Sequence, residues 1–208
     1  GGRGGGGMGG VARGGGRSDA LTDGAMQQVR RAWRAERARR GTPFQGVLYA
    51  GLMIDRGQPR LVEFNVRVGD PECQVLMMRL GAQVLDLLEA CARGRLDQAQ
   101  VNWAEDCAIS VVMAAKGYPG AYETGSAIGG LDALTPDAMN MVFHAGTRRA
   151  DGQVTASGGR VLNVCARGAA VAEARGRAYA TVDASDWPGG FWRSDIGGAW
   201  GYSISVKT

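Results

Sequence analysis

The spacing of hydrophobic and polar positions changes several times along the chain, and each change predicts a new element. Residues 19–40 place Val, Trp and long side chains three or four positions apart, which predicts a helix that ends at the Gly-Thr-Pro turn of 41–43. Strand-like runs follow at 45–54 and 60–68, separated by the turn-rich segment 55–59. These runs predict a β-hairpin.

Helical spacing returns over residues 72–92, where apolar side chains recur on one face. These side chains are Leu76, Leu80, Val84, Leu87, Leu88 and Cys91. We therefore predict one continuous helix that packs on the hairpin and ends at Gly94. The polar stretch 95–106 then predicts a linker between two units.

A second unit is predicted from residue 107 onward. The apolar run 107–115 is typical of a buried strand, and further strands are predicted at 139–145 and 160–166. A helix is predicted over 169–182. Strands followed by a single amphipathic helix indicate an α+β unit.

Composition changes the picture only at the start of the chain. Eleven of the 35 glycines lie within residues 1–16, where almost nothing could form a core, so the segment 1–18 is predicted to be disordered or aberrant. The predicted organisation therefore has four parts: 1–18, the first unit 19–94, the linker 95–106 and the second unit 107–208.

The net charge of +4 and pI near 9.1 come from the same end of the chain. Residues 1–40 hold nine Arg against three acidic side chains, whereas residues 41–208 hold 15 basic and 17 acidic ones. The part predicted to fold therefore lacks the basic footprint of a nucleic-acid binder. An Arg/Gly-tailed nucleic-acid binder stays open as an alternative that rests only on residues 1–40.

Cysteine and hydropathy patterns restrict the class further. The four cysteines form no CxxC pair and the single histidine is His144, so a structural zinc site is not indicated and free thiols in a reducing compartment are expected. No apolar run approaches the roughly 20 residues that a membrane helix needs. We expect a cytoplasmic protein, with His144 a structural residue at a strand end.

The strand predicted at 60–68 carries the candidate chemistry. Alternation places Glu63, Asn65 and Arg67 on one face, while the apolar residues between them are predicted to face the core. A carboxylate and an amide oxygen are hard ligands that suit Mg²⁺, and an arginine fork suits phosphate oxygens. The alternative is that these residues form the solvent-facing half of an edge strand.

The segment Gly69-Asp70-Pro71-Glu72 follows directly. Asp70 as an N-cap with Pro71 at the first helical position is a favourable helix start. A helix N-terminus is also an anion-binding site, because its first N–H groups have no partner within the helix. The two interpretations are compatible.

Six motifs in order resemble the glycinamide ribonucleotide synthetase family of ATP-grasp ligases, over roughly residues 41–197. The motifs are GVLYAGLM at 46–53, EFNVRVGDPE at 63–72, KGYPG at 116–120, FHAGT at 143–147, GGRVL at 158–162 and RSDIG at 193–197. The resemblance implies the C-terminal part of an ATP-grasp module over 19–94, followed by a small, β-rich α+β domain.

The implied activity is ATP-dependent ligation of glycine to 5-phosphoribosylamine in purine synthesis, through a glycyl phosphate. It implies Mg²⁺ or Mn²⁺ held by Glu63 and Asn65, ATP as a substrate, and Arg67 on the transferring phosphate. It also implies no nucleic-acid or membrane partner and a monomer when the enzyme is complete. Substrate contacts are implied for Asp70, Pro71, Glu72, Lys116, Tyr118, Arg193 and Asp195, with Arg67 and Asp70 in catalytic roles.

The resemblance fails at both ends of the chain. The family's N-terminal domain and the front of its ATP-grasp module have no counterpart here, and the residues after Gly197 do not continue as the family does. We therefore expect a truncated or frame-shifted reading that is inactive in isolation. The alternative function is a non-catalytic binding module that retains the fold.

Overall fold

A computed structural model of the chain describes residues 9–12, 27, 29, 31–33, 35–42, 44–56, 58–134, 137–198 and 203–204. The strands are β1 Gly9–Ala12, β2 Tyr49–Asp55, β3 Gln58–Asn65, β4 Cys107–Ala115, β5 Asn140–His144, β6 Thr147–Ala150, β7 Gln153–Ala156, β8 Arg160–Gly168, β9 Gly190–Phe191 and β10 Ser203–Ile204. The helices are α1 Glu72–Leu80, α2 Val84–Ala92 and α3 Val171–Ala184. Three 3₁₀ turns lie at Gly81–Gln83, Leu96–Gln98 and Leu131–Ala133. Residues 27, 29, 31–33 and 35–39 are helical.

The chain divides into two compact units, and the elements of each are not contiguous in sequence. The sheet unit contains β1, Asp70–Arg79 and Trp103–Ile204, whereas the hairpin unit contains the described residues 27–69 and 80–102. This division differs from the predicted linker at 95–106, because α1 belongs almost wholly to the sheet unit. The α+β class is as predicted.

The sheet unit has a core built on both faces of its central strand. Its main sheet has the order β10-β1-β4-β8-β5, with β9 also paired to β4. All nine residues of β4 are buried, which explains why all of them except Ser110 are apolar. Ile109, Val111 and Met113 share a core cluster with buried residues of α3, while on the other side Ala108 contacts Val75 of α1.

The hairpin unit has a much thinner interior. Strands β2 and β3 pair antiparallel through a turn at Arg56, whose φ is 49°, and a bulge separates Gly51 from Leu52. The ring of Trp33 lies 4.8 Å from that of Phe64 and 5.9 Å from that of Phe44. Among the residues of this unit whose burial the structure describes, none is fully buried.

Two predictions about β3 are wrong. The strand ends at Asn65 rather than Val68. Of the predicted core face, Phe64 and Val68 are half-buried, but Val62 is 65% and Val66 61% exposed. Trp33 covers only one position of that face, so the apolar alternation is present without the burial that it normally indicates.

The predicted helix over 72–92 is broken. Gly81 has a φ of +59°, a conformation that glycine adopts without strain, and it is the first residue of the 3₁₀ turn that separates α1 from α2. The first segment, α1, belongs to the sheet unit except for Leu80, and not to the hairpin unit as predicted. It buries Val75 and Arg79 in the sheet unit, where Val75 packs against Ala108 of β4.

Other elements agree with the predictions or add to them. Strand β4 matches its predicted span, and β5, β8 and α3 differ from theirs by one or two residues at an end. The described part of the predicted helix over 19–40 is helical, while residues 19–26 lie outside the described residues. Within the segment 1–18, which was predicted to be disordered or aberrant, Gly9–Ala12 form a strand, because their backbone pairs antiparallel with one side of β4. No helix among the described residues has the length and apolar character to cross a membrane.

Candidate active site

Glu63 and Asn65 lie side by side on β3, as their alternation predicts. The Asn65 side-chain nitrogen donates to Glu63 Oε1 at 3.2 Å. This orientation leaves Asn65 Oδ1 and Glu63 Oε2 as oxygen acceptors on the same face. Both are hard donors of the kind that Mg²⁺ and Mn²⁺ prefer, so the residues fit the implied metal.

Gly51 lies opposite Glu63 in the hairpin, and the Glu63 side chain explains why position 51 is a glycine. The two residues are register partners, and a methyl group added at Gly51 would lie 3.0 Å from Glu63 Cγ. A larger residue would push the Glu63 side chain away from its present position. The glycine therefore leaves room for the carboxylate.

Arg67 does not share the strand with these two residues, which corrects the predicted three-residue face. It lies beyond the end of β3, is exposed, and donates from Nη1 to the Val68 carbonyl at 3.0 Å. The backbone bends after Asn65, so alternation no longer fixes the side-chain direction. The exposed Arg67 guanidinium is nevertheless close in sequence to Glu63 and Asn65.

Asp70 lies at the centre of a polar cluster in the sheet unit. Its Oδ1 accepts from Gln74 Nε2 at 3.3 Å and from Asn163 Nδ2 at 3.2 Å. Its Oδ2 pairs with Arg160 Nε at 3.3 Å. The prediction of an N-cap role is replaced by this set of side-chain contacts, and the helix begins two residues later, at Glu72.

Three residues of this cluster, Gln74, Arg160 and Asn163, were not among the predicted site residues. Asn163 is fully buried within the run 161–166 of β8, where every other residue is apolar. A polar residue inside a buried apolar run is the signal that could have identified it. Arg160 belongs to the GGRVL motif, but its contact with Asp70 could be recognised only from the folded structure.

Pro71 and Glu72 complete the predicted loop. The Pro71 side chain is fully buried, so it holds the loop in place and offers no surface to a ligand. Glu72 is half-buried in the first turn of α1. These two residues therefore differ in what they can contact.

Lys116 and Tyr118 lie in the turn that follows β4. The Lys116 backbone N–H donates to Gly189 O at 3.0 Å and its side chain is exposed. Tyr118 is half-buried and packs on Val112 and Ala114, on the face of β4 opposite α3. The Lys116 side chain is therefore open to solvent, whereas Tyr118 covers part of one face of β4.

Arg193 and Asp195 form an ion pair with two hydrogen bonds, one of them from Arg193 Nε to Asp195 Oδ1 at 2.8 Å. The arginine hydrogen bonds hold the pKa of Asp195 below its usual range. The segment is tied to α3, where the Tyr179 hydroxyl donates to Arg193 O at 2.6 Å. Arg193 follows β9 while Lys116 follows β4, and because these strands are antiparallel the two leave them in opposite directions.

His144 and the cysteines have the environments expected of structural residues. His144 is the exposed last residue of β5, and its Nδ1 lies 3.1 Å from Thr147 Oγ1. The cysteines are free thiols, and burial raises the pKa of Cys165 to about 12. In the described ranges no group of three or more His, Cys, Asp and Glu could hold a metal ion.

Two family models match the sequence in succession. Residues 1–73 match the ATP-grasp (A) domain of phosphoribosylglycinamide synthetase, and residues 108–199 match the C domain of the same synthetase. The chain is therefore an ATP-grasp protein. Its curated relatives narrow the class: phosphoribosylamine–glycine ligase of Agrobacterium fabrum is 49% identical over 178 residues, which are 86% of this chain and 42% of the relative. The chain belongs to the phosphoribosylamine–glycine ligase family.

Two further comparisons agree with this family. The chloroplastic phosphoribosylamine–glycine ligase of Arabidopsis thaliana is 52% identical over 164 residues, covering 77% of this chain and 31% of the relative. The crystal structure of phosphoribosylamine–glycine ligase from Thermotoga maritima matches 91% of this chain and 46% of its own, with a TM-score of 0.78 and 31% identity. The chain thus spans about two fifths of the length of the first curated relatives it matches.

Proposed function

We propose that this chain supplies the C-terminal part of an ATP-dependent carbon–nitrogen ligase that joins glycine to 5-phosphoribosylamine. In this reaction ATP phosphorylates the glycine carboxylate, giving ADP and glycyl phosphate. The amine of 5-phosphoribosylamine then attacks the acyl carbon, phosphate leaves, and glycinamide ribonucleotide forms. The observation that carries the proposal is the paired Glu63 and Asn65 on β3, within the family's ATP-grasp region.

The chemistry depends on positioning and charge neutralisation more than on a covalent nucleophile. Glu63 and Asn65 would hold Mg²⁺ or Mn²⁺, which when bound neutralises phosphate charge. The exposed Arg67 guanidinium would take phosphoryl oxygens in a planar fork. These roles need two oxygen donors and an exposed guanidinium, and the proposal assigns them to Glu63 and Asn65 on β3 and to Arg67 just beyond it.

The substrate roles are distributed unequally among the remaining residues. Asp70 and Glu72 present carboxylates for a substrate, whereas buried Pro71 would only hold their loop. Lys116 has an exposed ammonium suited to the phosphate of 5-phosphoribosylamine, with Tyr118 beside it. Arg193 and Asp195 neutralise one another, so we expect that pair to orient its loop more than to bind an anion.

The experiment is an ADP-release assay with ATP, Mg²⁺, glycine and 5-phosphoribosylamine. It is run on the purified chain alone, and again with the remaining N-terminal part of the Agrobacterium relative added in trans. We expect no turnover alone and turnover with the added part. Lack of turnover in both arms would favour the non-catalytic binding module.

The metal assignment is tested by Glu63→Ala in the same assay and by Mn²⁺ binding followed by electron paramagnetic resonance. We expect both turnover and Mn²⁺ binding to be lost. Glu89→Ala is the matched control, because Glu89 is an exposed glutamate of the hairpin unit that pairs with Arg93. Turnover that survives Glu63→Ala would reject the metal role.

We further propose that the complete enzyme is a cytoplasmic monomer with small-molecule partners only. The relatives' names support a biosynthetic enzyme, although the Arabidopsis relative is named chloroplastic, so the compartment differs among them. Sedimentation of the assembled enzyme tests the monomer. RNA binding that weakens with salt and disappears without residues 1–40 would instead support the nucleic-acid alternative.

A further inference from the structure

Asp70 is held by three side chains from two different elements of the sheet unit. Gln74 lies one turn further along, on α1, while Arg160 and Asn163 lie on β8. The two amide nitrogens meet on Oδ1 and the guanidinium meets Oδ2. A carboxylate held from both sides in this way has little freedom to rotate.

The hydrogen-bonding capacity of Asp70 is not exhausted by these contacts. An ionised carboxylate offers about four lone-pair sites, two on each oxygen. Three of them face Gln74, Asn163 and Arg160, which leaves one on Oδ2. The Asp70 side chain is 35% exposed, so this remaining site can be reached from solvent.

The residues that hold Asp70 are not explained by core stability. Asn163 is completely buried, and its Oδ1 has no hydrogen-bond partner in the part of the chain that the structure describes. Gln74 Oε1 is in the same condition. Burying an unpaired acceptor costs free energy, and an apolar residue would avoid that cost. In both residues, the side-chain amide instead directs an N–H at Asp70 Oδ1.

We propose that Arg160, Asn163 and Gln74 are positioning residues that fix Asp70, so that its remaining Oδ2 site accepts an N–H from the amine of a substrate. The ligand group is a small amine or ammonium, as carried by both glycine and 5-phosphoribosylamine. The inference rests on the proposed ligase function and assigns one contact within it. Arg160 prevents Asp70 from rotating its open site away, and the two amides fix the other oxygen.

The test compares ligands with and without the amine on the full chain. Dissociation constants are measured by ligand-detected NMR for glycine against acetate, and for 5-phosphoribosylamine against ribose 5-phosphate. The ratio within each pair is the amine preference, and the pair that responds identifies which substrate supplies the N–H. Thermal unfolding is recorded for every variant.

We expect Asp70→Asn to lower the amine preference about tenfold, since it removes the charged acceptor. Asn163→Leu, which keeps the volume but cannot donate, should lower it about threefold to fivefold. Asn140→Leu is the matched control, because Asn140 also donates from a strand of this sheet, to Thr181 Oγ1 at 2.5 Å, but is remote in sequence from the Asp70 cluster. It should leave the preference unchanged.

The outcomes separate this inference from the function on which it rests. An Asn163→Leu variant that weakens glycine and acetate equally has only a structural role, and this would overturn the inference. So would an unchanged preference in Asp70→Asn while ADP release by the assembled enzyme persists. A wild-type chain that binds neither amine, together with no ADP release on assembly, would reject the proposed function itself.

Discussion

The sheet unit and the hairpin unit differ in how they use apolar residues. In the sheet unit, every residue of β4 is buried and β8 is almost as deeply packed. In the hairpin unit, none of the described residues is fully buried, and Leu61, Val62 and Val66 on or beside β3 are at least half-exposed. The unit that carries the candidate metal ligands is therefore not the unit that supplies most of the folding free energy.

This difference separates stability from chemistry within one chain. Burial of apolar area is the main favourable term in folding, so the sheet unit should unfold as a cooperative block. The hairpin relies on strand hydrogen bonds and the Trp33 contacts, and Glu63 on its other face is exposed. The following predictions break or sharpen the contrast, from the largest effect to the smallest.

The largest difference in the free energy of unfolding is expected when one leucine side chain is truncated in each unit. Leu162→Ala, in a fully buried position of β8, should lower the free energy of unfolding by about 2–5 kcal/mol. Leu61→Ala, at a position that is 50% exposed, should change it by less than about 0.5 kcal/mol. Urea unfolding followed by circular dichroism measures both. Equal effects would show that the hairpin contributes a core of its own.

Ion pairs should show the same contrast at smaller size. Arg167 contacts Asp106 through two hydrogen bonds of 2.8 and 3.0 Å, and both side chains are largely buried. Arg167→Ala should therefore cost about 2 kcal/mol.

The hairpin pair Arg60–Asp55 is the matched case, because its side chains are exposed. Arg60→Ala should cost less than about 1 kcal/mol and lose even that at high salt. Urea unfolding at two salt concentrations measures both pairs. A larger cost for Arg60 than for Arg167 would contradict the proposed difference in burial.

The buried thiol of Cys165 predicts a dependence on pH. Burial raises its folded-state pKa to about 12, while an unfolded thiol ionises near pH 8.5. Between these values the unfolded chain binds fewer protons, so stability should fall by about 1.4 kcal/mol per pH unit as the pH rises.

Unfolding measured between pH 8 and 11 tests this slope. Cys165→Ala should make the slope shallower, because it removes the group that titrates differently in the two states. Cys91→Ala on α2 is the matched control from the hairpin unit. An equal change of slope in both variants would refute the assignment to Cys165.

The smallest effect concerns Gly51 in the hairpin. The methyl group of Gly51→Ala would lie 3.0 Å from Glu63 Cγ, and the flexible glutamate should shift by a few tenths of an ångström. We expect Mn²⁺ binding to weaken by roughly threefold, with little change in unfolding. Gly176→Ala on α3 meets no atom within 4 Å and is the control. Unchanged Mn²⁺ affinity in Gly51→Ala would mean that Glu63 is not constrained by its neighbour.

Local sequence patterns predicted the elements well where burial and periodicity agree. The nine-residue strand β4 was predicted to the residue, because a run that is apolar except for Ser110 has one simple interpretation. Phe64 and Val66 show the limit, since alternation identifies a face but not what covers it. Gly81 shows another, because a single glycine in a periodic stretch can be tolerated or can break the helix.

The candidate site was predictable in part for the same physical reason. Glu63 and Asn65 are two residues apart on a strand, so their shared face follows from geometry alone. Asp70 and Asn163 are 93 positions apart, and their contact depends on how α1 is placed against β8. Arg67 was misplaced because the end of a strand is decided by its hydrogen-bonding partner.

The discontinuity of the sheet unit has a consequence for dissecting the gene. After β1, the chain leaves that unit, re-enters it at Asp70, leaves it again after Arg79 and returns at Trp103. A fragment that starts at residue 107 would lack α1, so Ala108 would lose the side chain of Val75 and Asn163 would lose Asp70. Expression clones or domain exchanges should therefore carry β1 as well as residues 70–79 and 103–204, with the separate segments joined by artificial connections.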